Sequence, residues 1–143
     1  MDVAVAKLEI GIVVRDLEAV TPFYRDGLGL THLGDRTTKL GLNRRFAWGD
    51  AVIVVMELDD PPTGVHPPHG TAGKATGVRF LVFREDELEL EEVLERCEAA
   101  GGRAYAPIKE IGDWRLLILE DPEATCHVEV TTRRTGGEGR RQA

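Results

Sequence analysis

One pattern occurs twice in this chain, and it constrains the fold more than any other property. Residues 8–14 alternate in character. Ile10, Ile12 and Val14 fall on one side of an extended strand, and Glu9, Gly11 and Val13 on the other. Asp16 follows as a helix N-cap, and Val20, Phe23 and Tyr24 recur at helical spacing until Gly27 and Gly29 stop the helix. Residues 30–33 read as a short strand, and 44–48 and 51–58 as a hairpin turning at Gly49-Asp50. The pattern then restarts. Residues 78–84 read as a strand, Asp86 as an N-cap, and Leu90, Val93, Leu94 and Cys97 as a helical stripe ended by Gly101-Gly102. Strands follow at 103–105, 114–119 and 126–131, with Asp121-Pro122 marking the last turn. The halves are in step: the spacing from Glu9 to Leu17 equals that from Phe80 to Leu88.

Neither half is long enough to bury a core alone, so the two must pair. The expected fold is α+β: two paired βαβββ modules forming a curved mixed sheet around a central cavity. The chain reads as a single domain over 1–143. Module one covers about 8–58, a Pro- and Gly-rich linker 59–77, module two 78–131, and a flexible tail 132–143. The apolar strand faces (Ile10, Ile12, Val14; Leu81, Phe83) pack under the helices, and the opposite faces curl around the shared cavity.

Composition excludes several function classes. A net charge of -7 argues against nucleic acid, which is bound through clustered Lys and Arg. The paired arginines at 133–134 and 140–141 are read as a solvated end. No apolar run approaches the ~20 residues that span a bilayer, and the N-terminus lacks the basic start of a secretory signal, so a cytoplasmic location is expected. The sequence has no serine, which removes serine-nucleophile hydrolysis. Cys97 and Cys126 fit no zinc-finger or disulfide spacing. The scarcity of Asn and Gln, beside abundant Arg, Gly and Ala, is read as the mark of a GC-rich genome rather than of heat adaptation.

The segment Leu8-Glu9-Ile10-Gly11-Ile12-Val13-Val14-Arg15-Asp16-Leu17, followed by Phe23-Tyr24-Arg25-Asp26-Gly27-Leu28-Gly29-Leu30, resembles the opening of vicinal-oxygen-chelate proteins. This superfamily includes glyoxalase I, bleomycin-resistance proteins and extradiol dioxygenases. The second half agrees through residues 77–83, Ala99-Ala100-Gly101-Gly102, Asp121-Pro122-Glu123 and Val128-Glu129-Val130. The resemblance covers about residues 8–131. It implies a homodimer acting on, or binding, a small organic molecule. It also places the metal-ligand positions of metal-using members at Glu9, Glu57, Phe80 and Glu129. Phe80 cannot ligate, which leaves Glu9, Glu57 and Glu129 as the expected metal ligands. The final turn departs from the family pattern: Ala124-Thr125-Cys126 replaces the usual Gly-Asn and adds a residue.

With that geometry, Glu9, Glu57 and Glu129 would meet in one hollow with His127, which alternation puts on the face of Glu129. Phe80, Val13 and Val82 would supply apolar lining. Two unit charges ~5 Å apart repel by about 3 kcal/mol at an effective dielectric near 20, so converging carboxylates need compensation. The candidates are a divalent metal (Mn, Fe, Mg, Ni or Zn unresolved), an arginine among Arg45, Arg84 and Arg115, a retained proton, or a cationic ligand. Two functions stay open. In one, metal-assisted lyase, isomerase or oxygenase chemistry runs with Glu9, Glu129 and His127 as catalytic groups. In the other, a metal-free protein sequesters a drug or metabolite, with Trp48 and Trp114 as possible stacking walls. His66 and His69 read as solvated loop residues and His32 as surface or core. Gly27 and Gly29 follow a helix rather than opening one, so they form no dinucleotide loop.

Overall fold

The computed structural model describes residues 6–64 and 76–135. The first half runs β1 (Glu9–Val14), α1 (Leu17–Pro22), β2 (Thr31–Thr37), β3 (Gly41–Trp48) and β4 (Ala51–Leu58). The second runs β5 (Phe80–Arg84), α2 (Leu90–Ala99), β6 (Arg103–Ala104), β7 (Lys109–Ile111), β8 (Trp114–Glu120) and β9 (His127–Arg133). The α+β class and the doubled βαβββ plan are therefore as expected, with β7 an added strand on β8. One sheet has the order β1-β4-β3-β2, the other β5-β9-β8-β6. In each, the first strand runs parallel to the last, and the remaining pairs are antiparallel. Histidines 66 and 69 lie outside the described residues. Among the described residues no helix is long and apolar enough to cross a membrane.

Local sequence explains the helices. Asp16 caps α1 by accepting from the Ala19 N–H at 3.2 Å. Pro22 has no N–H to continue the ladder, and the chain widens into a π turn over Phe23–Gly27, closed by the Leu28 N–H on the Phe23 carbonyl at 2.8 Å. Helix α2 starts later than Asp86 would set it. Glu87 adopts φ 65, outside the helical region, and the N-cap falls on Glu89. Gly101, at φ 90, ends α2 as its sequence indicates. Strand β9 continues to Arg133, past the expected end of the second module.

One core joins the halves. Val14, Leu17, Val20, Phe23, Tyr24, Ile53 and Val55 of the first pack with Leu81, Phe83, Val93, Cys97, Val128 and Val130 of the second. The seam is also polar. The fully buried Tyr24 hydroxyl donates to Asp121 Oδ2 at 2.6 Å, and Asp121 Oδ1 accepts from the Glu123 and Thr125 N–H groups at 2.8 and 3.1 Å. The Glu123 carboxylate reaches back to accept from the Arg15 and Asp16 N–H groups, both at 2.8 Å. Burial pushes the Tyr24 phenol well above its ordinary range, and the neighbouring Asp121 carboxylate adds to this. Both cysteines are free, and burial pushes both thiols up to about 12, so each is an inert core group.

Candidate functional site

Strand alternation decides which side chains leave the core. In β5, Leu81 and Phe83 are buried under the helices while Phe80, Val82 and Arg84 are exposed on the opposite, open face. In β9, Val128, Val130 and Thr132 face the helices, so His127, Glu129 and Thr131 share the open face. The register sets Phe80 beside His127 and Val82 beside Glu129, with Ile118 of β8 on the other flank of Glu129. The Tyr105 ring lies 5.3 Å from the His127 ring. At the far end of the face, the guanidinium carbons of Arg84 and Arg133 lie 4.6 and 4.8 Å from the centre of the Trp114 ring. Arg84 is steadied by a hydrogen bond from its Nε to Thr131 Oγ1 at 3.2 Å.

Glu129 therefore sits between two aliphatic neighbours. Desolvation raises its carboxyl pKa. The other carboxylates with a resolved shift (Asp26, Asp35 and Glu91) all move down, each beside an arginine.

The first half distributes its charges differently. Ile10, Ile12 and Val14 turn toward the helices, which leaves Glu9, Gly11 and Val13 on the open face. Glu9 Oε1 pairs with Arg45 Nη2 at 2.5 Å, so one of the three candidate arginines does neutralise a candidate carboxylate. Arg84 instead stacks on Trp114, and Arg115 pairs with Glu91 and Glu110. Trp48 meets Phe83 edge-on at 5.3 Å and packs against the core, so of the two tryptophans Trp114 belongs to the open face.

Glu57 corrects the expected site. It shares a face with Ile53 and Val55, as alternation requires, but those residues are buried beneath α1. Its carboxylate consequently lies on the helix side, where Oε1 accepts from the Leu17 N–H at 3.0 Å. The two registers make the position plain. Glu9 pairs with Val52 and Phe80 with His127, so Val54 is the first-half counterpart of Glu129. The counterpart of Glu57 is Thr132, whose Oγ1 accepts from the Leu88 N–H at 2.9 Å. Both groups anchor the entry to a helix.

Residues 7–126 match the Glyoxalase/Bleomycin resistance protein/Dioxygenase superfamily. The chain belongs to that superfamily. Solved structures share its fold. A glyoxylase/bleomycin resistance protein/dioxygenase domain from Frankia sp. EAN1pec superposes with a TM-score of 0.73 at 21% identity, covering 96% of both chains. A glyoxalase family protein from Bacillus cereus gives 0.69 at 17% identity, covering 93% of this chain and 97% of that one. TnmS3, an antibiotic binding protein from Streptomyces sp. CB03234, gives 0.64 at 19% identity, covering 92% and 99%. Comparison with curated proteins gives no match.

The metal that membership in this superfamily implies does not fit the expected donors. Glu57 is on the opposite side of its sheet, Glu9 is paired with Arg45, and Glu129 stands on the other sheet beside Val82, with the non-ligating Phe80 next along that face. Among the described residues no group of three or more His, Cys, Asp or Glu is placed to hold an ion. Sequence reasoning also missed Ile118, Tyr105 and the Arg84–Trp114 stack as parts of the face around Glu129. The alternation of β8 carried the signal for Ile118: Leu117 and Leu119 are fully buried, and Ile118 faces the other way.

Proposed function

We propose that this member of the superfamily binds a small organic molecule without a metal, on the open face of the second sheet. The observation that carries the reading is the setting of Glu129, a carboxylate flanked by Val82 and Ile118 with a raised pKa. Phe80, Val82 and Tyr105 remain 47%, 42% and 44% exposed, an apolar surface suited to a ring system. Glu129 would fix such a ligand through a cationic or hydrogen-bond-donating group. The antibiotic binding protein among the structural neighbours supports sequestration over turnover. A second copy of the chain covering part of this face would shield the same apolar residues, which extends the reading to a homodimer.

The test is a thermal-shift screen of aromatic amines and antibiotics, run with and without a chelator. Stabilisation that survives chelation and disappears in Glu129→Gln supports the proposal. Stabilisation that requires added Mn, Fe, Ni or Zn overturns it. Affinity for a cationic ligand should also fall as pH drops through the raised Glu129 pKa, because protonation removes the charge the ligand meets. Light scattering at several protein concentrations measures the dimer separately.

A further inference from the structure

A second cleft lies between the two halves, away from the face just described. Its volume is about 530 Å³, inside the range of roughly 300–1,000 Å³ usual for small-ligand sites. Leu28 and Trp48 of the first half and Phe83, Val93 and Val130 of the second give it an apolar lining. Its charged lining is Arg84, Arg96 and Glu85, a local positive excess in a chain of net charge -7. The Arg84 guanidinium is held over Trp114 on the other side of the sheet, so Arg96 is the cation the cleft can use.

The setting of Arg96 is unusual for its helix. Glu91, Glu92, Glu95 and Glu98 surround it in sequence, yet it forms no ion pair among the described residues. Its Nε instead donates to the Gly27 carbonyl at 3.3 Å, which draws the guanidinium across to the first half. That bond occupies one donor and leaves the two terminal nitrogens for an anion. Apolar walls with one anchored guanidinium at the edge match a molecule that is itself divided into an apolar chain and a single acid group.

We propose that this cleft is a second small-molecule site, which takes an amphipathic monocarboxylate. The chain of the ligand lies against Leu28, Phe83 and Val93, and its carboxylate meets Arg96. The proposal does not depend on how the open face is used.

The chain has two tryptophans, and they report on the two places separately: Trp48 lines this cleft and Trp114 lies on the open face. Titration of the ¹⁵N-labelled protein with decanoate should move the Trp48 indole N–H signal and leave that of Trp114 in place. Arg96→Gln should weaken decanoate binding about tenfold or more, as should replacing decanoate by the uncharged 1-decanol. Thr31→Trp, at the cleft lining and exposed, should block binding while the unmoved Trp114 signal shows that the fold is kept. Three results overturn the proposal: an unmoved Trp48 signal, a response at Trp114 alone, or wild-type affinity for decanoate in Arg96→Gln. A failure of the open-face reading would appear at Trp114 and in Glu129→Gln, and so is distinguishable.

Discussion

The two halves share a topology and a helix anchor but differ in how they treat a carboxylate on the open face. In the first, Glu9 on the opening strand is neutralised by Arg45 two strands away. In the second, the opening strand carries Phe80 at that position, and the carboxylate has moved to the closing strand as Glu129. The residue that corresponds to Arg45 there is Ile118, which offers no charge. One half has a compensated, inert pair. The other has a desolvated acid beside exposed aromatic surface. A duplicated scaffold thus holds its shape with conserved geometry on the helix side and specialises on the face that needs no packing.

The comparison can be broken most severely at the seam. Asp121→Ala removes the partner of the buried Tyr24 hydroxyl and of two backbone N–H groups, and should cost about 3 kcal/mol in urea unfolding. A loss below about 1 kcal/mol would mean that the Tyr24–Asp121 tie adds little to the join between the halves. Next come the paired anchors. Glu57→Ala and Thr132→Val should each destabilise by about 1 kcal/mol, by similar amounts, because each frees the N–H of an equivalent leucine. If Glu57→Ala instead stabilises the protein, carboxylate crowding is present after all and the assignment of Glu57 to the helix side fails.

Smaller effects sharpen the picture. Ala124 is held at φ 53, a left-handed conformation that penalises a Cβ. Ala124→Gly should therefore stabilise by about 0.5–1 kcal/mol, net of the added freedom of the unfolded chain. Glu129→Gln should raise the free energy of unfolding at pH 7 by only about a few tenths of a kcal/mol, read as a small upward shift of the thermal midpoint, because water still reaches the carboxyl. The sign follows from linkage. A carboxyl whose pKa is raised on folding disfavours the native state where it is ionised, so wild-type stability rises as pH falls through the folded pKa. The advantage of the variant should vanish at acid pH, where both forms are neutral. An advantage that persists there would have a different origin.

The repeat, both helices and the succession of elements along the chain were legible because each depends on short-range spacing. The face of Glu129 was legible too: Val128 and Val130 alternate with His127, Glu129 and Thr131, so a single core-facing residue fixes the rest. Strand β4 offers no such clue. Residues 51–56 are apolar without a break, and either side of the strand could have faced the helices. The family resemblance put Glu57 among the expected ligands, and the unbroken apolar run held nothing to contradict it. Strand β2 extended further than residues 30–33 for a related reason. It is exposed nearly throughout, is held by β3, and shows no apolar alternation to announce it. The Glu9–Arg45 pair was within reach, since Arg45 was already a candidate, but choosing among three arginines needed the register of β3 against β4.

The reach of Glu123 into the first turn of α1 carries a consequence for how such a chain can be divided. Its two oxygens serve amides more than a hundred positions upstream, while Tyr24 sends its hydroxyl the other way. Severed between the modules, each fragment would keep strands that pair locally yet lose the partner for its own buried polar groups. Neither piece is then a smaller version of the protein. The duplication has become mutual dependence.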